Sequence, residues 1–289
     1  MGALPDEVSI MSFLMAVFLG LVQGIAEFLP ISSSGHLTLI QHFWPGVEEP
    51  DTLFNILLHF ATLIAVCIAY RQDIANMIAE FFRGLAAIFS GRGSREAETP
   101  PARRLVLLVI VGTLPLFAIL PLQGFVEGLG SSPVFVACAL IVTGFLLFSS
   151  DRMARGRKTE RTARVSDALL VGVAQGIATV PGLSRSGCTI SAGLALGFDR
   201  KFAVRYSFLL SLPAVLGATI LKVAGAVKDG GLDLSRLPAY LAGMVVAGVV
   251  GYFSIQLVKL LAAKGKFGSF AYYCWAVGVV ALIASFVVK

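Results

Sequence analysis

Long runs of apolar residues, separated by short polar stretches, dominate the pattern along the chain. A membrane-spanning helix needs roughly 20 predominantly apolar residues to cross about 30 Å of hydrocarbon, and several runs reach or approach that length. The runs are continuous and lack the strict alternation that barrel strands show, so they predict an all-α polytopic membrane protein. Six transmembrane helices are expected, at about 53–70, 105–122, 134–149, 203–224, 238–258 and 270–288.

Two further apolar segments, at about 8–46 and 167–199, are interrupted near their middle by proline, glycine and serine. Cytoplasmic loops are enriched in Lys and Arg, which fixes the expected topology. Each interrupted segment then begins and ends on one side of the membrane, which predicts two re-entrant hairpins of broken helices. The charges behind this topology are Glu48, Glu49 and Asp51 outside, and Arg71, Arg83, Arg92, Arg95, Arg103, Arg104, Arg152, Arg155, Arg157, Lys158, Arg161, Arg164, Lys259, Lys264 and Lys266 inside.

Two shorter stretches complete this layout. The stretch 123–132 has Glu127 as its only charged residue, and we expect it to form an outer turn between two crossings. The segment 77–90 is amphipathic, and we expect it to lie along the cytoplasmic interface.

The two interrupted segments repeat each other at an offset of 152 residues. Gln23-Gly24-Ile25-Ala26 recurs at 175–178, and Ser32, Ser34 and Gly35 recur as Ser184, Ser186 and Gly187. Each predicted half, about 8–150 and 165–289 of a single membrane domain 1–289, holds one hairpin and three crossings. An odd number of crossings inverts the second half, and inverted-topology repeats bind substrates near the midplane where the repeats meet.

The chemistry of the two breaks points to an anion, and to phosphate in particular. Pro30 ends the first half-helix, and Ser32, Ser33 and Ser34 follow as candidate N-cap residues for the next helix, whose free N–H groups attract anions. The second break carries Arg185 at the position of Ser33, and a guanidinium matches phosphate oxygens in a bidentate way. With Glu27 and His36 nearby, the breaks predict an acid/base set around a phosphoryl group.

Structural explanations compete with each of these assignments. Serines in membrane helices hydrogen-bond across helices, Arg185 can serve only as the counter-charge of Glu27, and His36 can be a packing residue. His42 and His59 are expected to be structural. Gln23 and Gln175 occur in both halves, so a symmetric structural role is their default.

Composition agrees with a bilayer setting. Hydrophobic residues make up 57% of the chain and charged residues 14%, with a mean hydropathy of +0.85, which is too apolar for an ordinary soluble domain. The net charge of +6 raises the question of nucleic acid. Because the basic residues lie in short loops beside apolar runs, the positive-inside rule explains them, and we expect no nucleic-acid binding.

Long paired signatures resemble the bacterial undecaprenyl-diphosphate phosphatases, the bacitracin-resistance family. They are Gln23-x-x-x-Glu27 with Phe28-Leu29-Pro30-Ile31-Ser32-Ser33-Ser34-Gly35-His36, then Pro181-Gly182-Leu183-Ser184-Arg185-Ser186-x-x-Thr189, and Tyr206-Ser207-Phe208-Leu209-Leu210-Ser211-Leu212-Pro213. The resemblance covers essentially the whole chain. It implies hydrolysis of undecaprenyl diphosphate to the monophosphate carrier lipid of peptidoglycan synthesis, with bacitracin resistance, in the plasma (inner) membrane at a site reached from the periplasm.

By resemblance, Gln23 and Glu27 occupy the positions of the family's (Glu/Gln)-x-x-x-Glu motif, His36 is its motif histidine, and Arg185 is the arginine of its second motif. The expected catalytic residues are therefore Glu27, Ser33, His36 and Arg185. The expected phosphate-binding residues are Gln23, Ser32, Ser34, Ser184, Ser186 and Thr189.

Two mechanisms remain open at this point. In one, which the pairing of Ser33 with Arg185 in the repeat slightly favours, Ser33 attacks the terminal phosphorus after activation by Glu27 or His36. In the other, Glu27 or His36 orients a water molecule, with a divalent cation (Mg or Ca) bridging the diphosphate and Glu27. No covalently bound cofactor is expected; bilayer lipids are the expected surroundings, and a homodimer is left open.

Other classes of function share the same architecture. A polyprenyl-phosphate transporter or flippase would use the same inverted-repeat site, because broken helices at the midplane are typical of secondary transporters. A lipid-binding membrane subunit without chemistry is the third alternative.

Overall fold

The computed structural model describes residues 5–44, 52–89, 99–153, 156–228 and 237–287, and within these ranges it is helical with no strand beyond one isolated bridge. Of the charges used to predict the topology, Glu48, Glu49, Asp51, Arg92, Arg95 and Arg155 lie outside the described residues. The helices are α1 Pro5–Ala26, α2 Ser33–Phe43, α3 Thr52–Ala69, α4 Arg71–Phe89, α5 Pro101–Thr113, α6 Pro115–Ile119, α7 Gln123–Leu129, α8 Pro133–Ser150, α9 Val165–Ile177, α10 Arg185–Ala195, α11 Arg200–Lys228, α12 Leu237–Ala263 and α13 Ser269–Val287, with a 3₁₀ turn at Leu120–Leu122.

Five helical stretches in the described part of the chain are long and apolar enough to cross a membrane: 101–129, 133–150, 200–225, 237–263 and 269–287. A sixth candidate is the pair formed by α3 and α4, which is bent by 85°. The prediction of an all-α polytopic membrane protein is therefore confirmed.

The helix α4 turns away from α3 and exposes a row of large apolar side chains. Its exposed apolar residues are Ile78, Phe81, Phe82, Leu85, Ile88 and Phe89. Charged residues such as Asp73, Glu80 and Arg83 interrupt this row. The helix is thus amphipathic, as the sequence predicts, and its apolar side chains are available to a lipid interface.

The prediction of a turn over 123–132 is wrong for most of its length. Residues Gln123–Leu129 form α7, and only 130–132 connect this helix to α8. The preceding crossing is also broken into segments, because Pro115 and Pro121 lack the N–H that a continuous helix needs. The consequence is an apolar wall made of three short segments: α6, the 3₁₀ turn and α7.

A new helix begins after each of the two predicted breaks, and a serine caps the N-terminus of each in the same way. Ser32 accepts a hydrogen bond from the Gly35 N–H at 3.2 Å and begins α2. Ser184 accepts one from the Gly187 N–H at 3.1 Å and begins α10. These capping bonds satisfy one orphan N–H of each helix and leave the other N-terminal donors free of intrahelical partners.

Close helix crossings hold the two broken segments in place. A Cβ on Gly20 of α1 would collide with the backbone of Gly243 in α12. Gly172 of α9, which lies 152 residues after Gly20, meets Gly112 of α5 in the same way. Small residues allow such close approach of membrane helices. The first helix of each broken segment therefore packs on a crossing from the other predicted half.

The main buried cluster lies directly behind the first break. Phe28 packs edge-on against Phe208 of α11, with ring centroids 5.7 Å apart. Tyr206 is 1% exposed and donates a hydrogen bond from its hydroxyl to the Leu108 carbonyl at 2.7 Å. The first contact holds the loop that follows α1 against α11, and the second holds α11 against α5, so the two contacts together support the first break.

Candidate active site

The two breaks bring Glu27 and Ser33 of the first broken segment together with Arg185 of the second, 158 residues after Glu27. The Arg185 guanidinium donates to Glu27 Oε1 in an ion pair. The Ser33 hydroxyl donates to the other oxygen, Glu27 Oε2, at 2.8 Å. The carboxylate therefore connects the hydroxyl of the first break to the guanidinium of the second, as the sequence prediction of one shared site requires.

A second group of contacts surrounds the same carboxylate. Gln23 is fully buried and donates from Nε2 to Glu27 Oε2 at 3.1 Å. The same amide nitrogen lies 3.3 Å from His59 Nδ1, and that ring nitrogen is 4.0 Å from Glu27 Oε2. His59 therefore lies at the site, although a structural role was predicted for it from the sequence. His36, the histidine that was expected beside Glu27, lies elsewhere.

His36 points away from the carboxylate. Its Nδ1 lies 2.8 Å from the Ser32 carbonyl oxygen, and its Nε2 lies 2.9 Å from the Tyr273 hydroxyl of α13. The two rings are stacked, with centroids 5.6 Å apart. His36 thus connects α2 to α13, and the site near Glu27 has His59 as its imidazole.

A cavity of about 430 Å³ opens in front of this cluster. Its polar residues include Glu27, Ser33, His59 and Arg185. Much of the remaining wall is apolar and comes from α6, α7 and α11, including Leu116, Phe117, Ile119, Leu120, Val126, Ala214 and Leu221. Such a cavity suits a ligand with one polar end and a long apolar body.

Only part of the predicted phosphate-binding set lines this cavity. Ser32, Ser34 and Ser184 do, whereas Gln23, Ser186 and Thr189 are absent from the wall. Ser186 Oγ lies 3.2 Å from Ser184 Oγ, and Thr189 Oγ1 lies 2.6 Å from Ser207 Oγ in a buried contact. In this geometry Ser186 and Thr189 support the start of α10 from behind.

The backbone is strained at the first break. Ser32 has φ 70°, and it is the only non-glycine residue with positive φ in the part of the chain that the structure describes. Its repeat counterpart, Ser184, has an ordinary φ of −82°. Left-handed conformations of this kind are held by the surrounding structure and are frequent at functional sites. The two breaks therefore differ in backbone as well as in side chains.

Gln175 is a cavity residue that the sequence prediction missed. It is 1% exposed and lines the cavity, and neither polar atom of its side chain has a hydrogen-bond partner among the described residues. A buried amide without partners is unusual and calls for a ligand or water. The only signal for Gln175 was its repetition of Gln23, which had suggested a symmetric structural role.

Comparison with known proteins identifies the family. The profile of the family described as Bacitracin resistance protein BacA matches residues 16–280. The chain belongs to the BacA family. A curated protein of Methanosphaera stadtmanae, named undecaprenyl-diphosphatase, is 40% identical over 96% of this chain and 99% of its own. Proteins of the same name from Halothermothrix orenii and Syntrophotalea carbinolica are 39% and 40% identical, over 94% and 93% of this chain and 98% and 97% of theirs.

The carboxylate of this BacA protein is not surrounded by further metal ligands. Among the described residues, no three His, Cys, Asp or Glu side chains are grouped closely enough to hold a metal ion. Both oxygens of Glu27 are already engaged, Oε1 by Arg185 and Oε2 by Ser33 and Gln23. A resident metal held by protein groups alone does not fit this donor set.

Proposed function

We propose that the protein hydrolyses undecaprenyl diphosphate to undecaprenyl phosphate and inorganic phosphate. The observation that carries this proposal is the Ser33 hydroxyl on one oxygen of Glu27 and the Arg185 guanidinium on the other, at the wall of a largely apolar cavity. Membership of the BacA family and the name of the three relatives support it. Those names describe hydrolysis, so they do not favour the transporter alternative.

The two ends of the cavity suit the two ends of this lipid. The apolar wall of α6, α7 and α11 takes the first prenyl units, and since lipid tails are as apolar as this wall, its contribution to binding comes from packing. The diphosphate occupies the polar end, between the starts of α2 and α10. The free N–H groups of both helix starts and the Arg185 guanidinium donate to the terminal phosphate.

Ser33 is the proposed nucleophile. Its oxygen forms a bond to the terminal phosphorus while the bond between that phosphorus and the bridging oxygen breaks, which releases undecaprenyl phosphate. Glu27 accepts the Ser33 proton through the hydrogen bond already present at 2.8 Å. Arg185 and the helix N-termini stabilise the charge on the phosphoryl oxygens during the transfer.

Water completes the reaction at the phosphoserine. Its oxygen bonds to phosphorus as the bond to Ser33 Oγ breaks, and inorganic phosphate leaves. Glu27 carries a proton from the attacking water to Ser33 Oγ, which restores the serine hydroxyl. We assign the orientation of this water to His59, because its ring lines the cavity beside Glu27.

The surroundings of the site are part of the proposal. We propose six crossings with two re-entrant hairpins, in inverted halves 8–150 and 165–289, within the bacterial plasma membrane. The site opens to the periplasm, where it recycles the carrier lipid for peptidoglycan synthesis and confers bacitracin resistance. A divalent cation, Mg or Ca, arrives as the counter-ion of the diphosphate and not as a resident metal.

Phosphate release by the purified protein in nanodiscs tests the proposal, with undecaprenyl diphosphate or its C15 analogue farnesyl diphosphate as substrate. The wild-type protein should release inorganic phosphate, and Ser33→Ala should lose about 100-fold or more in kcat. Ser149→Ala is the matched control, since it removes an exposed serine hydroxyl of α8 that does not line the cavity.

Acid quenching during turnover distinguishes the two mechanisms. Substrate labelled with ³²P in the terminal phosphate should leave label on the protein, and Ser33→Ala should abolish it. If the wild-type protein released no inorganic phosphate under any cation condition, the proposed phosphatase activity would be refuted. Near wild-type turnover by Ser33→Ala, with Glu27→Gln inactive, would replace the serine nucleophile by water. Cysteine labelling that places 91–100 outside would overturn the topology.

A further inference from the structure

One face of α11 forms a continuous stripe along the cavity. Most of its cavity-lining residues recur at helical spacing, namely Pro213, Ala214, Gly217, Ala218, Leu221 and Lys222, and Val215 and Thr219 flank them. A Cβ on Gly217 would meet no atom within 4 Å, so the middle of the stripe borders open space. With a rise of 1.5 Å per residue, the stripe extends about 13 Å and ends in an ammonium group.

Lys222 has no carboxylate partner in the described residues. Arg185 pairs with Glu27, and on the same helix Arg205 pairs with Asp73 at 3.4 Å and with Glu160 at 2.5 Å. Lys222 forms no such pair, its side chain is exposed, and its charge acts electrostatically on His59. An unpaired ionisable group on a membrane helix that faces a cavity is expected to have a function.

The charge of Lys222 is also specific to one half of the repeat. The residue 152 positions earlier is Tyr70, which is buried at the end of α3 and has Lys259 over its ring. A symmetric structural role would predict similar residues at both positions. Glu27 and Arg185 depart from the repeat in the same way, since their counterparts are Thr179 and Ser33.

The permanent charges that line the cavity indicate what the ammonium group of Lys222 can bind. The lining residues with a permanent charge are Glu27 and Arg185, which neutralise each other, together with Glu127 and Lys222. The carboxylate of Glu127 accepts a hydrogen bond from Gln123 at 2.9 Å. A phosphate monoester carries about −1.5 to −2 charge at pH 7, and a diphosphate carries more. The paired Arg185 cannot balance this charge alone.

We propose that Lys222 binds the lipid-linked phosphate of the substrate, the one that remains on the prenyl chain. This inference rests on the proposed function, because it assigns the second phosphate of the same diphosphate. Arg185 and Ser33 take the terminal phosphate, and the ammonium reaches the inner one from the side of α11. When the bond to the bridging oxygen breaks, Lys222 stabilises the negative charge that develops on the departing monophosphate. Lys222 is thus a binding residue for the phosphate that the diphosphate substrate and the monophosphate product share.

Steady-state kinetics with farnesyl diphosphate, with farnesyl phosphate as product inhibitor, tests this assignment. Lys222→Gln should lower kcat/KM and weaken inhibition by farnesyl phosphate, each on the order of tenfold to a hundredfold. Lys222→Arg, which keeps the charge, should stay within about threefold of wild type. Lys228→Gln is the matched control, since it removes an ammonium from the same helix beyond the cavity wall and should change neither constant.

Two results would overturn the assignment. If Lys222→Gln kept kcat/KM within about twofold of wild type, Lys222 would only anchor α11 at the membrane interface. If kcat/KM fell while inhibition by farnesyl phosphate was unchanged, the ammonium would not bind the lipid-linked phosphate. If the wild-type protein released no phosphate, the proposed function would be refuted instead. The role of Lys222 would then still be decided by the affinities of Lys222→Gln and Lys222→Arg for farnesyl phosphate, measured directly.

Discussion

Replacing either member of the Glu27–Arg185 pair by glutamine would leave the other charge without its partner. Removing one member of a fully buried pair costs about 3 to 5 kcal/mol. The side chain of Glu27 is 7% exposed and that of Arg185 is 23% exposed. Because Arg185 keeps some contact with solvent, we expect each single exchange to lower the free energy of unfolding by about 2 to 3 kcal/mol.

The double variant Glu27→Gln/Arg185→Gln separates stability from catalysis. Both charges are absent, and two amides can hydrogen-bond, so a coupling of about 2 to 3 kcal/mol should keep the double variant from losing more stability than one single variant loses. In thermal unfolding of the detergent-purified proteins, each single variant should have a Tm on the order of 5 °C below wild type, and the double variant should have a similar Tm instead of one about twice as far below. Phosphate release should fall by about 100-fold or more in all three variants.

Two outcomes would contradict this reasoning. A double variant that regained both its Tm and its turnover would reduce Arg185 to a counter-charge of Glu27. Single variants with the wild-type Tm would show that the pair does not stabilise the fold. Lys201→Gln serves as the control for charge removal, because this side chain is exposed at the other end of α11 from the cavity.

Three further predictions concern the imidazole, the strained break and a helix crossing. His59→Ala should lower kcat/KM by about 10-fold or more, whereas His36→Ala should stay within about threefold; equal losses in initial-rate assays would contradict the assignment. At Ser32, glycine should be more stable than alanine by about 2 kcal/mol, against about 1 kcal/mol at Ser184, because only Ser32 has positive φ. Thermal unfolding of the four variants checks this, and equal differences would refute the strain. Gly20→Val should cost more than about 2 kcal/mol, because its side chain meets the backbone of the facing helix; an unchanged Tm would show that the crossing is not tight.

Local features of the sequence determined the helices and their breaks. Apolar runs of sufficient length form helices wherever they lie, since backbone groups in a bilayer must be satisfied within the segment. Ser32 and Ser184 begin helices because a serine hydroxyl satisfies an N–H three residues later, whatever else surrounds it. The match between the two breaks also pointed to Glu27 and Arg185 as partners, because an unpaired charge at membrane depth is costly.

Helix breaks inside apolar runs were harder to predict. The stretch 123–132 carries a single charged residue between two apolar runs, which favoured a turn, yet α7 occupies Gln123–Leu129. Pro115 and Pro121 divide the run before it into α5, α6 and the 3₁₀ turn, and the chain then continues as α7. Residues of α6, the 3₁₀ turn and α7 line the cavity, and hydropathy alone does not show this.

Only the tertiary structure decided which side chains reach the carboxylate. His36 lies within the signature and was expected to act, but Tyr273, 237 residues away, holds its ring on the far side of α2. His59 comes from α3 and lies beside Gln23 although 36 residues separate them. The direction of a side chain depends on how its helix is rotated against its neighbours. Close crossings such as that at Gly20 set this rotation, and they join segments that the linear sequence keeps apart.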